Sequence, residues 1–206
     1  MIKVSEFEPV RVKNFLNEED YDFIKGKVNN LFADNDKKYD GFIIHKNGLH
    51  QKLYDADSEM SKFFVDKVQN YFQKDILRRA VFFARYTNKD GCKPELMPHL
   101  DNYEPGTGQA LTFTYVLDHS INWDICIQSQ CGYIDKNEIV IFSGSTHAHW
   151  RPQITFSEED FYDIFVMHFT FKDAEVELLP ENYLDIMQAE KEKYMPYWAV
   201  IKNSKR

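Results

Sequence analysis

The apolar positions change period part-way along the chain. Before about residue 75 they recur at helical spacing in two stretches. Tyr21, Ile24, Val28 and Leu31 mark one face, with Asn17 as N-cap and Glu18, Glu19 and Asp20 in a first turn where the helix dipole favours acids. Met60, Phe63, Phe64, Val68 and Phe72 mark the other, from about Ser58, its cap, to Gln73. A short strand, Pro9 to Val12, precedes them. From Ile76 onward, short β-rich runs alternate with polar or glycine-containing turns. They are Ala80 to Tyr86, Met97 to Asn102, Ala110 to Leu117, Cys126 to Gln130, Ile139 to Phe142, His147 to Arg151 and Asp163 to Phe171. Such spacing predicts an antiparallel sandwich or jelly roll. A last helix is expected after Pro180, carrying Tyr183, Ile186, Met187, Glu190 and Tyr194. The expected fold is α+β with a mostly β core: a double-stranded β-helix, or jelly roll, with flanking N-terminal and C-terminal helices. The chain reads as one domain over 1–206, helical to about 75, jelly roll from about 76 to 172, and helical again from about 180 to 198.

Composition narrows the function. The 206 residues are 43% hydrophobic and 16% aromatic, enough for one packed core. A formal charge of −8 argues against nucleic acid as a partner, because phosphate binding needs a basic face. No apolar run is long enough to span a bilayer, and the first residues lack the apolar centre of a signal peptide, so no membrane partner is expected. Cys92, Cys126 and Cys131 are odd in number and contain no CxxC, so a disulfide framework is not expected and a cytoplasmic setting is. The protein is expected to be a monomer or homodimer.

The chemistry-bearing feature is His99-Leu100-Asp101. On a strand, alternation puts imidazole and carboxylate on one face. Far downstream lies Ser145-Thr146-His147-Ala148-His149-Trp150-Arg151, whose histidine completes a 2-His-1-carboxylate face suited to Fe(II). His147 and His149 are two apart and would face the same way. His149 is favoured as ligand, with His147 either supporting the ligands from behind or on the substrate side. By itself H-x-D is more often a turn or surface pair than a ligand set. His45, His50 and His119 lack partner spacing and read as structural, and His168 sits in an apolar strand where a lone histidine is usually a satisfied core residue.

The motifs, taken in order, resemble the Fe(II)/2-oxoglutarate-dependent dioxygenase superfamily, in its prolyl-hydroxylase-like branch. Phe15-Leu16-Asn17-Glu18-Glu19 resembles that branch's helix start. Ala84-Arg85-Tyr86 followed by Pro98-His99-Leu100-Asp101 resembles its "RY…pHxD" segment. Leu111 to Leu117 resembles "lT…YLn", and Glu138 to Gly144 leading to His149-Trp150-Arg151 resembles "a-l-i-F-sG…HwR". The resemblance implies that His99, Asp101 and His149 bind Fe(II), that 2-oxoglutarate and O2 are co-substrates, and that Tyr86 meets the far carboxylate of 2-oxoglutarate. The branch's basic partner, some ten residues after the distal histidine, is missing: Ser157-Glu158-Glu159-Asp160 is acidic. Arg151 is the leading replacement, with His168 and Lys172 as alternatives. The plainer alternative for Arg151 is a salt bridge to an acidic loop. Asn102, Tyr103, His147 and Trp150 are candidates for the substrate side. Trp123, Trp150 and the loop 102–108 are expected near the mouth. The implied reaction hydroxylates an unactivated C–H bond of an amino acid, a peptidyl residue or a small metabolite, with succinate and CO2 as co-products. Desaturation or cyclisation would use the same site, whereas Asp101 argues against halogenation. The rivals are a cupin-like metalloenzyme that does not use 2-oxoglutarate and a non-enzymatic β-sandwich binding module.

Overall fold

The change of period along the chain is a change of layer. In a computed structural model of the chain, described for residues 3–33, 41–45, 48–88, 94–101, 109–173 and 177–204, eleven strands and three helices stack in four layers. The strands are β1 (Val10–Val12), β2 (Ile43–Ile44), β3 (Leu49–Leu53), β4 (Ile76–Thr87), β5 (Leu96–His99), β6 (Leu111–His119), β7 (Asp124–Ile127), β8 (Gln130–Tyr133), β9 (Glu138–Ser143), β10 (His149–Arg151) and β11 (Phe161–Phe171). The helices are α1 (Glu18–Leu31), α2 (Glu59–Phe72) and α3 (Tyr183–Ser204). A seven-stranded sheet runs β1-β9-β6-β11-β4-β3-β2 and faces a four-stranded sheet, β5-β10-β7-β8; every pairing is antiparallel. This is the expected jelly roll with helices at both ends of the chain.

Alternation along the strands assigns each layer its core. Phe83, Val81, Phe113, Tyr115, Phe165 and Met167 point out of the large sheet onto Ile24, Val28, Phe64 and Val68 of α1 and α2. Their neighbours Ala84, Tyr86, Val116, Val140, Phe142 and Ile164 point inward, against Trp123, Ile125 and Ile127 of the small sheet. Beyond the small sheet, Leu100, Cys126, Ala148 and Trp150 pack on Leu179, Tyr183, Tyr194 and Trp198 of α3 and its approach. The caps are as read from the sequence: Asn17 accepts from the Asp20 N–H at 2.8 Å, and Ser58 from the Ser61 N–H at 3.2 Å.

Three expectations are corrected. The run Cys126 to Gln130 is not one strand: Gln128, at φ 52°, turns the chain, and β7 pairs back on β8. That hairpin sets Cys126 directly opposite Cys131, and the two form a disulfide, so the cysteines are not all free. The hairpin β2–β3 was not foreseen; its exposed strand β2 has only two residues, Ile43 and Ile44. Cys92 lies outside the described residues. Among those described, no helix is long and apolar enough to cross a membrane.

Candidate metal centre

Two carbonyls aim the two histidines. His99 Nδ1 lies 2.9 Å from the carbonyl oxygen of Met97, and His149 Nδ1 lies 3.1 Å from that of His147. A carbonyl only accepts, so each imidazole carries its proton on Nδ1 and keeps the Nε2 lone pair free. β5 and β10 are paired with His149 opposite His99, and their rings lie 4.2 Å apart. Asp101 lies two residues beyond the end of β5. One ligand atom from each of His99, Asp101 and His149 falls within 4.8 Å of the others. Burial, reinforced by His99 nearby, pushes His149 down to about 3, so its imidazole is neutral near pH 7. Burial works to raise the Asp101 carboxyl, but His168, His149, His99 and a hydrogen bond from Thr112 outweigh it and hold the group below its usual range. Two imidazoles and one carboxylate are the donor set of a non-haem Fe(II) site.

Thr112 and Gly144 decide how Asp101 sits. The Thr112 hydroxyl donates to Asp101 Oδ2, while Oδ1 faces His149 Nε2 at 3.5 Å. A Cβ at residue 144 would overlap both the Asp101 carboxylate and the Thr112 hydroxyl, so only glycine fits there. Both stand within segments that carry the resemblance, but neither is given a role by it. The available signal was Leu111-Thr112-Phe113-Thr114-Tyr115, which places two hydroxyls on the inner face of an otherwise apolar strand.

A cavity of ≈ 130 Å³ between the sheets is lined by the metal face, by Tyr86, Thr114, Ile125, Ile164 and Val166, and by Arg151. Arg151 is 1% exposed. Its Nη1 donates to the Trp123 carbonyl at 2.9 Å, and its guanidinium lies over the rings of Trp123 and Tyr162. Its Nη2 is buried without a hydrogen-bond partner among the described residues. A buried guanidinium with an unsatisfied N–H, lining the same cavity as the metal ligands, fits the carboxylate of a small acid. Burial pushes the Tyr86 hydroxyl up to about 12, against the opposing pull of Arg151, so it stays a donor. The acids at 158–160 do not approach: Asp160 accepts from the Ser157 N–H and the Ser120 hydroxyl in a surface turn.

The remaining candidates are dispersed. His168 Nε2 lies 3.8 Å from Asp101 Oδ2, with its ring against Phe82. Tyr162, beneath Arg151, is six residues away on the same strand, roughly 20 Å at ~3.3 Å per residue. His168 therefore stands beside Asp101, away from Arg151. Lys172 is exposed and lies 3.4 Å from Asp75. His147 is in the turn before β10, outside the ligand group. Trp150 is not on the substrate side: alternation turns it away from His149, onto Tyr194 of α3 at 5.1 Å. Trp123 is not at the mouth either; it is fully buried beside Tyr86 and donates to the Pro152 carbonyl. Asn102, Tyr103 and the rest of the loop 102–108 lie outside the described residues.

No family model matches the chain, and no curated protein matches it in sequence. Solved structures do match in shape. A prolyl hydroxylase from Trichoplax adhaerens, solved with a peptide fragment of the hypoxia inducible factor oxygen degradation domain, is 16% identical, with a TM-score of 0.56 over 78% of this chain and 83% of its own. The non-heme α-ketoglutarate-dependent epimerase SnoN of nogalamycin biosynthesis is 11% identical, with a TM-score of 0.60 over 79% of this chain and 78% of its own. HygX from Streptomyces hygroscopicus, with nickel and 2-oxoglutarate bound, is 7% identical, with a TM-score of 0.54 over 80% of this chain and 83% of its own. The chain has the fold shared by the 2-oxoglutarate-dependent oxygenases, the prolyl hydroxylases among them.

Proposed function

We propose that the protein is an Fe(II)- and 2-oxoglutarate-dependent oxygenase that hydroxylates an unactivated C–H bond of an amino acid, a peptidyl residue or a small metabolite. The observation that carries this reading is one cavity lined by both the His99, Asp101 and His149 face and the unsatisfied Arg151 guanidinium. A metal at the first and a carboxylate at the second are what a chelating 2-oxo diacid spans. When bound, metal and co-substrate supply the oxidising chemistry: O2 is consumed, 2-oxoglutarate becomes succinate and CO2, and C–H becomes C–OH.

The chain's own residues bind, orient and exclude. His99 and His149 offer Nε2, and Asp101 offers Oδ1. Arg151 grips the far carboxylate, and the Tyr86 hydroxyl donates to it. Ile125, Ile164 and Val166 keep water from the bound diacid, which limits turnover uncoupled from substrate. His168, His147, Asn102 and Tyr103 are assigned to the substrate side. A cytoplasmic setting is proposed on the need for ferrous iron alone. The Cys126–Cys131 bond weighs against it, and alkylating the protein directly from cells decides between the two.

The deciding experiment is an anaerobic titration with Fe(II) and 2-oxoglutarate, followed by the weak visible charge-transfer band of the chelate. The band is expected in the wild type and absent in Asp101→Ala. No band in the wild type, or an unchanged one in Asp101→Ala, overturns the reading. A cupin-like enzyme predicts turnover without any 2-oxo acid. Gain of one oxygen atom by the product separates hydroxylation from desaturation, cyclisation or epimerisation.

A further inference from the structure

The helix α3 is built on the back of both strands that carry the metal ligands. Strand alternation makes this unavoidable: His99 and Asp101 face the cavity, so Leu100 between them faces away; His149 and Arg151 face the cavity, so Trp150 faces away. Leu100, Ala148 and Trp150 form one surface with Cys126, and Leu179, Tyr183, Tyr194 and Trp198 cover it. Within that surface, among the described residues, a single polar group reaches the ligand backbone. The Tyr183 hydroxyl, on a residue 1% exposed, donates to the Asp101 carbonyl at 2.8 Å and shares its proton with the Ser145 carbonyl at 3.3 Å.

Those two carbonyls belong to the two segments that must stay in register for a metal to bind. Asp101 supplies a carboxylate. The turn at Ser143–His147 leads into His149 and is closed by the Thr146 and His147 N–H groups on the Ser143 carbonyl, at 3.2 and 2.8 Å. The segments already meet once, where the Asp101 N–H donates to the Gly144 carbonyl at 2.8 Å. Tyr183 adds a second tie from outside the sandwich.

We propose that Tyr183 is a positioning residue that makes the C-terminal helix part of the metal centre, so that its hydroxyl, rather than the apolar packing of α3, sets how firmly Asp101 and His149 retain their metal. The inference rests on the metal reading above. Groups that orient ligands from behind typically contribute 10–100-fold in metal affinity.

The test measures Co(II) binding to the full chain without O2 or 2-oxoglutarate: affinity from the visible Co(II) bands, and release rate into excess chelator. Thermal unfolding of each metal-free variant is recorded in parallel. Tyr183→Phe keeps the ring and removes only the hydroxyl. It is expected to weaken Co(II) binding about tenfold and to speed release, with a small loss in Tm. Tyr194→Leu is the control: it removes the ring that packs on Trp150 from the same helix, and is expected to lower Tm while leaving Co(II) affinity unchanged. Wild-type affinity and release in Tyr183→Phe overturn the inference alone. So does Tyr194→Leu weakening Co(II) in proportion to its lost stability, because the effect would then be general loosening. A wild type that does not bind Co(II) overturns the metal reading and this inference together.

Discussion

The centre depends on a few side chains whose chemistry cannot be exchanged for bulk. Arg151 is the sharpest case, because its charge is buried before any ligand arrives. Arg151→Met removes a buried guanidinium with an unsatisfied N–H and replaces it with an apolar chain of similar length. The ligand-free variant is expected to melt at least as high as the wild type. Its 2-oxoglutarate Kd is expected to rise about a hundredfold, the equivalent of about 3 kcal/mol for losing one partner of a buried charged pair. A lower Tm with an unchanged Kd would make Arg151 a structural residue. Thr112→Val keeps the shape and removes the hydrogen bond to Asp101 Oδ2. Isothermal titration with Mn(II) is expected to show about tenfold weaker binding at nearly constant Tm. His99, Asp101 and His149 could be picked out from the chain because H-x-D and H-W-R are local patterns. Thr112, Gly144 and Tyr183 could not, because their roles arise only where separate segments meet.

Elements were legible where a period and a stop signal agreed. α1 and α2 begin at Asn17 and Ser58 because those side chains cap them, and β4, β6, β9 and β11 stand out as long apolar runs. The β7–β8 hairpin was hidden because Gln128 adopts a left-handed conformation usually taken by glycine or asparagine. β2 and β3 were hidden because two exposed isoleucines and a Leu-His-Gln-Lys-Leu run carry little periodicity. The disulfide closes that hidden hairpin over a separation of five residues. Cys131→Ser is expected to lower stability to urea by about 2 kcal/mol, the loop-closure figure for so short a loop. Asn137, also left-handed at φ 59°, joins the start of α1 to the core. Its side chain accepts from the Leu16 N–H and the Tyr115 hydroxyl and donates to the Leu16 carbonyl. Asn137→Ala is expected to cost about 2–3 kcal/mol in the same measurement, at about 1 kcal/mol per hydrogen bond.

At the scale of the whole molecule, the metal face lies in the middle of four layers, and His149 is folded in neutral. His149 is held near 3, against 6.5 when free, so between those values the unfolded chain binds more protons than the folded one. Stability of the metal-free protein is therefore expected to fall as pH drops from about 6.5 toward 3, and His149→Gln should flatten that part of the profile. A profile equally steep in the variant would move the acid sensitivity elsewhere. The same alternation that hides the histidine constrains how the gene can change. Between Gly144 and His149 the backbone passes from a turn into β10, and from there neighbours face opposite layers. Adding or removing one residue in that segment would exchange inside for outside, offering Trp150 to the cavity and His149 to the helix. Substitutions at Thr146 or His147 should be borne far more readily than any change in the number of residues. Between Gly144 and His149 the stretch depends on its length more than on its identity, and a library of single deletions and insertions there, sorted for Co(II) binding, should come back empty.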